Sequence, residues 1–104
     1  MSYVYAYRVD GELWIIGKGH GRRDRKHLAR ARRFAKGLPL HRIYGWQREL
    51  AERLSAGATV VIERLAENLN EADALALERK LIAELKPLKN KLPGGEGARR
   101  HSVE

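Results

Sequence analysis

Two short runs rich in β-forming residues stand at the start of the chain, separated by the single pair Asp10-Gly11. An Asp-Gly pair between two such runs is the strongest short-range signal for a two-residue hairpin turn. The sequence therefore predicts an N-terminal β-hairpin over 2–17, with the glycines that follow ending its second strand. This hairpin restricts the chain to folds that contain an antiparallel sheet.

Helical and β-type patterns alternate along the rest of the chain. The predicted elements are a helix over 22–36 that stops at Gly37, a helix over 43–57, a strand over 58–66 and a helix over 71–86. Asn70 is a good N-cap for the last helix, and Pro87 terminates it. The order ββααβα predicts a small α/β fold, in which helices flank a three-stranded mixed or antiparallel sheet.

The 104 residues suffice for one compact domain. We expect that domain to cover 1–95 and to be followed by a flexible polar tail over 96–104. The chain contains no cysteine, which excludes a disulfide framework and thiolate zinc sites. No apolar run approaches the roughly 18 residues of a membrane span, so we expect a cytoplasmic protein of bacterial or phage type with no membrane partner.

Positive charge is concentrated in one segment of the chain. The formal net charge is +8, and the segment 18–36 contains nine Lys or Arg residues against one acid. The segment 49–84 is acidic on balance. Such a distribution favours a polyanionic partner, while a solvated helix face is the plain alternative. A membrane-surface helix is disfavoured because the segment has no wide, bulky apolar face.

Glu78 lies near the middle of the apolar stripe of the predicted last helix, between Ala74 and Ile82. A lone carboxylate facing a core costs several kcal/mol unless a cation or hydrogen bonds compensate it. Two interpretations remain open. Glu78 is either a buried carboxylate paired with an arginine, or a metal ligand or catalytic group.

Arg23, His27 and Arg30 follow i, i+4, i+7 spacing and line one edge of the predicted basic helix. A histidine between arginines is held neutral, so His27 can accept a proton or contact a phosphate, although a plain boundary residue is the simpler interpretation. The remaining histidines are too scattered to predict a zinc site.

Glycines at 17, 19 and 21 precede this helix. They do not form a nucleotide-binding fingerprint, because they lack the G-x-G-x-x-G spacing and a parallel β-α-β unit. Gly17 and Gly19 would allow backbone N–H groups to approach an anion. Tyr3, Tyr5 and Tyr7 share one strand face by period-two geometry, and packing is the favoured interpretation of that row.

Five segments together resemble the GIY-YIG nuclease family, in the branch where YIG-KG is followed by Arg and then His. They are "YVY" at 3–5, "IIG" at 15–17, "GKGHGRRDRKHL" at 17–28, "ENLNEADALALERKLIAEL" at 67–85 and "KPLKN" at 86–90. The resemblance covers about 2–95, and it depends on the order and spacing of the five segments. The tail "GGEGARRHSVE" also resembles the lead into DNA-binding modules of some homing nucleases.

This resemblance implies a divalent-metal-dependent endonuclease that hydrolyses phosphodiester bonds in DNA and uses no small-molecule cofactor. Glu78 would hold one Mg²⁺, with Mn²⁺ as a substitute, and Arg23 would clamp the phosphate. Tyr5, together with His27, would position or deprotonate the attacking water, and Asn90 would support the site by hydrogen bonding. The implied DNA-binding groups are Lys18, Gly19, Arg22, Arg25, Lys26, Arg30 and Arg33, with the backbone of Gly17.

Two positions depart from the family pattern: Tyr3 replaces the first glycine of GIY, and Ile15 replaces the first tyrosine of YIG. Ile15 has no group that can activate water, so Tyr5, Lys18 or His27 would have to take the proton. A non-catalytic nucleic-acid-binding domain with a degenerate site is the main alternative. A ribosomal or RNA-packing protein would explain the charge but would leave Glu78 unexplained.

Overall fold

The structure, a computed structural model, describes residues 1–38, 43 and 45–90. Its elements are β1 (Ser2–Val9), β2 (Glu12–Gly19), α1 (Arg23–Ala35), α2 (Gly45–Ser55), β3 (Val60–Leu69) and α3 (Glu71–Leu85). The three strands form one antiparallel sheet in the order β2-β1-β3. The predicted ββααβα layout is confirmed, and the sheet is of the antiparallel kind. The predicted tail 96–104 and the domain boundary at 95 lie outside the described residues.

The hairpin turn forms as the Asp-Gly pair predicts. Asp10 and Gly11 both have positive φ, 50° and 84°, which a two-residue turn between twisted strands requires. The Asp10 carboxylate then accepts hydrogen bonds from the Thr59 N–H at 2.9 Å and from Arg53 at 3.0 Å. The turn is therefore tied to the segment that leads into β3.

Three predicted elements differ from the structure by two or more residues at an end. The second strand does not end at the first glycine but continues to Gly19, because Tyr5 and Tyr3 of β1 pair with Gly17 and Gly19 across the ladder. The third strand runs over Val60–Leu69 rather than 58–66. The second helix occupies Gly45–Ser55, so it begins at the glycine inside the predicted range 43–57.

A β-bulge in β2 changes which side chains face the core. Tyr7 pairs with Ile15 whereas Arg8 pairs with Leu13, so Trp14 is an extra residue in β2. As a result the consecutive residues Trp14 and Ile15 both pack into the same apolar cluster. Strict alternation would have sent one of them to the opposite face.

Helices cover both faces of the sheet. On one face, α1 and α2 bury Leu28, Ala31, Leu50 and Ala51 against the tyrosine side of β1. On the other face, α3 buries residues of its apolar stripe against Val4, Ala6 and Ile16. The central strand β1 is therefore buried on both faces, which accounts for its nearly continuous apolar sequence. Within the described residues, no helix is long and apolar enough to cross a membrane.

The last helix begins and ends at the predicted signals. Asn70 has extended backbone, and its side-chain oxygen accepts a hydrogen bond from the Asp73 N–H at 2.8 Å, as an N-cap does. At the other end Lys86 adopts the left-handed conformation, with φ of 48°, directly before Pro87. This abrupt end turns the chain back toward the sheet.

The segment after α3 covers the outer edge of β2. The N–H groups of Leu88 and Lys89 donate to the carbonyls of Leu13 and Trp14, at 3.0 and 2.8 Å. The Asn90 side chain continues this pairing, because its oxygen accepts from the Ile16 N–H at 2.8 Å and its amide group donates to the Ile16 carbonyl at 3.2 Å. Asn90 thus fixes the position of β2 immediately before Gly17.

Candidate active site

The three tyrosines of β1 are buried in a row, and their hydroxyls hold α1 against the sheet. Tyr7 donates to the Asp24 carbonyl at 2.6 Å and accepts from the Leu28 N–H at 2.9 Å. Tyr3 accepts from the Asp24 N–H at 2.9 Å. The middle hydroxyl differs, because Tyr5 lies 3.0 Å from Nε2 of the His27 side chain. Packing therefore explains Tyr3 and Tyr7, while Tyr5 contacts a residue that can titrate.

Gly17 provides the space that Tyr5 occupies. A Cβ atom added at Gly17 would lie 2.5 Å from the Tyr5 hydroxyl and 2.6 Å from the ring carbon that carries it. The phenol of the central strand thus extends across the edge strand β2. Only glycine permits that approach, which gives a physical reason for the glycine at the end of the "IIG" segment.

Gly19 lies close to Arg23, in a tight contact that is less restrictive than the one at Gly17. A Cβ atom at Gly19 would lie 3.1–3.3 Å from the Cβ, Cγ and Cδ atoms of Arg23. The aliphatic part of Arg23 therefore lies against Gly19 of β2, and the residue remains exposed to solvent. Arg23 is the first residue of α1, so the helix start directs it toward the edge of the sheet.

Glu78 belongs to α3, which packs on the other face of the sheet. It is 8% exposed, and Ala74 and Ile82, one turn before and one turn after it, pack with Ile16 of β2. Burial raises the pKa of Tyr5 far above its ordinary value, the negative charge of Glu78 raises this pKa further, and the charge of Arg23 lowers it. Glu78 and Arg23 thus act electrostatically on one hydroxyl.

No protein-family model matches the chain. Neither the curated proteins nor the solved structures contain a match. The chemistry of the site is therefore the basis on which a function can be assigned.

The imidazole of His27 is held neutral. Burial lowers its pKa to about 4, and the positive charges of Arg30, Arg23 and Lys26 contribute to that shift. The ring also lies 4.8 Å from the Trp46 ring, centroid to centroid. An uncharged His27 agrees with the expectation from the flanking arginines.

Lys18 is paired with an acid of α3. Its ammonium is 2.6 Å from the Glu71 carboxylate, which also accepts a hydrogen bond from Ser2 at 3.1 Å. The backbone of Ile16 points outward to Asn90, and successive residues of a strand alternate in direction. The N–H groups of Gly17 and Gly19 are therefore directed into the ladder with β1, and the outward-facing backbone at this edge is that of Lys18.

The predicted DNA-binding side chains of α1 divide into two groups. Four of them are exposed, namely Arg22, Arg25, Lys26 and Arg33. Arg30 is half-buried, and its Nε donates to the side-chain oxygen of Gln47 at 3.4 Å. Arg30 thus takes part in the packing between α1 and α2, whereas the other four form an open cationic surface.

Three residues of the site environment are not among the sequence candidates. Asp24 is 4% exposed and accepts hydrogen bonds from Tyr3 and from Arg64 of β3, both at 3.0 Å. The Arg64 guanidinium also lies over the Tyr3 ring, 3.9 Å from its centroid. Gln47 is fully buried beside His27. The one available signal for Asp24 was its isolation as the single acid within 18–36.

The described residues contain no group of three or more His, Cys, Asp or Glu side chains that could hold a metal ion. A preassembled zinc or calcium site is thus not present in that part of the chain, since such sites need at least three protein ligands. A carboxylate at a phosphate-binding surface can still share a magnesium ion with its substrate, because Mg²⁺ is commonly held by one or two carboxylates plus phosphate oxygens.

Proposed function

We propose that this chain is a divalent-metal-dependent endonuclease of the GIY-YIG type, which hydrolyses phosphodiester bonds in DNA. The observation that carries the proposal is the Tyr5–His27 pair, which lies over Gly17 beside a basic helix, and whose phenol is influenced by burial and by the charges of Glu78 and Arg23. A carboxylate, a guanidinium and a hydrogen-bonded hydroxyl supply three of the groups that phosphodiester hydrolysis uses, and the proton of the attacking water would pass to solvent. The three groups are a metal ligand, a phosphate clamp and a group that orients water.

Glu78 fits a magnesium ion that is shared with the substrate. It is a buried carboxylate in the apolar stripe of α3, where a negative charge is costly unless a cation or hydrogen bonds compensate it. When bound, the ion would neutralise the negative charge that develops on the phosphate oxygens. Because one carboxylate is a weak site by itself, we expect metal binding without DNA to be much weaker than metal binding in its presence.

Arg23 would bind the scissile phosphate. Its planar guanidinium can donate two parallel hydrogen bonds to phosphate oxygens, and its stem is already held against Gly19. A lysine at this position would keep the charge but would lose the paired donors. The substitution Arg23→Lys therefore separates geometry from charge.

Tyr5 would orient the attacking water and would not deprotonate it. Its pKa is raised by burial, and the pKa of His27 is about 4, so neither group is an effective base at neutral pH. The Tyr5 hydroxyl instead offers a hydrogen-bonding atom that the contact with His27 holds in place. Asn90 would support this arrangement, because it anchors β2 one residue before Gly17.

The cationic surface of α1 would hold the DNA backbone. Each exposed lysine or arginine that neutralises a phosphate releases counterions, so binding should weaken steeply with salt. We expect Lys26→Gln and Arg33→Gln each to lower the slope of log K against log salt by about 1. Arg8→Gln is the matched control, because Arg8 is paired with Glu63 and lies in the sheet rather than on α1.

The decisive test is plasmid nicking by the purified protein with Mg²⁺ and with a chelator. We expect metal-dependent nicking by the wild type and a loss of about a hundredfold or more in Glu78→Gln and in Arg23→Lys. Glu84→Gln is the control, since it makes the same chemical change at an exposed position of α3. Thermal unfolding of each variant separates loss of function from loss of structure.

A non-catalytic nucleic-acid-binding domain is the second candidate function, and one observation favours it. Ile15, in the position of the first tyrosine of YIG, is 6% exposed and packs in the apolar core, where it offers no polar atom. Salt-sensitive DNA binding by the wild type, without nicking at any concentration of Mg²⁺ or Mn²⁺, would support this alternative and contradict the nuclease.

A further inference from the structure

Gln47 is a fully buried amide that connects α1 and α2 at the site. Its side-chain nitrogen lies 2.7 Å from Nδ1 of His27, and its side-chain oxygen accepts the hydrogen bond from Arg30. A buried amide is costly unless it is hydrogen-bonded, so these contacts have an energetic reason. They also have a consequence for the protonation of His27.

Arg30 determines which way the amide points. A guanidinium can only donate, so the Gln47 atom that faces it must be the carbonyl oxygen. The amide NH₂ group then faces Nδ1 of His27. Because an NH₂ group can only donate, Nδ1 must be the acceptor and carries no proton.

This fixes the tautomer of the imidazole. A neutral histidine carries one proton, so in His27 that proton is on Nε2, which lies 3.0 Å from the Tyr5 hydroxyl. His27 therefore donates to Tyr5. The proton of the Tyr5 hydroxyl must then point away from His27.

We propose that Gln47 is a positioning residue, which holds His27 in the Nε2–H tautomer and so directs the hydroxyl proton of Tyr5 outward, toward the charged groups of the site. This inference rests on the proposed nuclease function. In this arrangement Tyr5 donates to a phosphate oxygen or to the attacking water, and it retains a lone pair that can accept from that water. His27 does not serve as the base.

A single substitution can reverse the arrangement. In Gln47→Glu the carboxylate can only accept, so Nδ1 must carry a proton, and at a pH where the imidazole is neutral Nε2 becomes the acceptor. The hydroxyl proton of Tyr5 would then turn toward His27 and away from the site. Gln47→Met removes the hydrogen bonds at similar volume, which leaves neither tautomer preferred.

The experiment combines nuclear magnetic resonance with nicking. Long-range nitrogen–proton spectra identify the protonated nitrogen of His27 in the wild type, in Gln47→Glu and in Gln47→Met, without any requirement for activity. We expect Nε2–H in the wild type, Nδ1–H in Gln47→Glu and a mixture in Gln47→Met. Nicking should fall by about tenfold to a hundredfold in both variants, as it does when the partner that orients a functional histidine is removed. Glu52→Gln, on the exposed side of the same helix, should change neither.

The outcomes distinguish the two proposals. Nδ1–H in the wild type, or full nicking activity in a variant whose tautomer has changed, would overturn the role of Gln47. If the wild type shows the expected Nε2–H tautomer but never nicks DNA, the nuclease proposal is refuted and the tautomer assignment is supported. If Gln47→Glu does not fold, the spectra of the wild type and of Gln47→Met still decide the assignment.

Discussion

The burial of His27 makes the stability of the folded protein depend on pH in a defined window. A histidine in an unfolded chain takes up a proton near its ordinary pKa of about 6.5. In the folded protein that pKa is about 4, because of burial and of the surrounding positive charges. The unfolded state therefore binds more protons than the folded state at every pH between these values. The stabilisation is fully present above the higher value and is lost as the pH falls toward the lower one.

The size of the effect follows from the two values. Between pH 7 and pH 5, the linkage relation gives a loss of about 2 kcal/mol in the free energy of unfolding from His27 alone. Carboxylates change the pH dependence of the free energy of unfolding mainly at lower pH. Burial opposes the ionisation of Asp24, but the hydrogen bonds from Arg64 and Tyr3 outweigh burial, so the pKa of Asp24 lies below its ordinary value. The stabilisation that ionised Asp24 provides is therefore lost only at a pH below the ordinary carboxyl pKa.

Urea unfolding at pH 7 and pH 5, followed by tryptophan fluorescence or circular dichroism, measures this loss. The variant His27→Gln keeps a hydrogen-bonding side chain without a titrating group, so its stability should fall by about 2 kcal/mol less than that of the wild type over the same interval. His20→Gln is the control, because His20 is exposed in the turn before α1. Equal losses in the wild type and in His27→Gln would refute the reasoning.

Three further changes test the geometry around β2. Gly17→Ala should lower the free energy of unfolding by roughly 1–3 kcal/mol and reduce nicking, because the new methyl group collides with the buried Tyr5 phenol. Gly45→Ala is the control, because nothing lies near the added atom, and its free energy of unfolding should be unchanged or slightly higher. Asn90→Ala removes both hydrogen bonds to Ile16, so it should cost about 1–2 kcal/mol and speed hydrogen exchange at the Ile16 amide. Asp24→Asn should lower the melting temperature by several degrees, since an ion pair at a buried oxygen is lost; an unchanged melting temperature would show that the arginine finds another partner.

Local signals in the sequence were sufficient for the element order. The Asp10-Gly11 turn, the Asn70 cap and the proline after the last helix each act within a few residues, and each appears in the structure where it was expected. The burial of Glu78 was also predicted from helical spacing alone. These features depend on contacts between neighbours in the chain.

Long-range partners could not be derived in the same way. The pairing of Lys18 with Glu71 and the position of Asn90 against Ile16 join residues more than fifty positions apart. The role of Gln47 could not be predicted from the sequence, because its contact with the His27 imidazole joins two different helices and leaves no pattern within α2. The bulge at Trp14 likewise depends on the register with β1, which no local pattern specifies.

The order in which the strands pair has a consequence for how the protein folds. The hairpin of β1 and β2 forms from neighbouring residues, whereas β1 meets β3 only after the long segment between them has closed, and α3 follows β3 in the chain. Contacts that close long loops form slowly, so we expect the last helix to dock late. Until it docks, the nascent protein presents a cationic helix without its candidate metal ligand, so under the proposed function this intermediate would bind nucleic acid but would not cleave it.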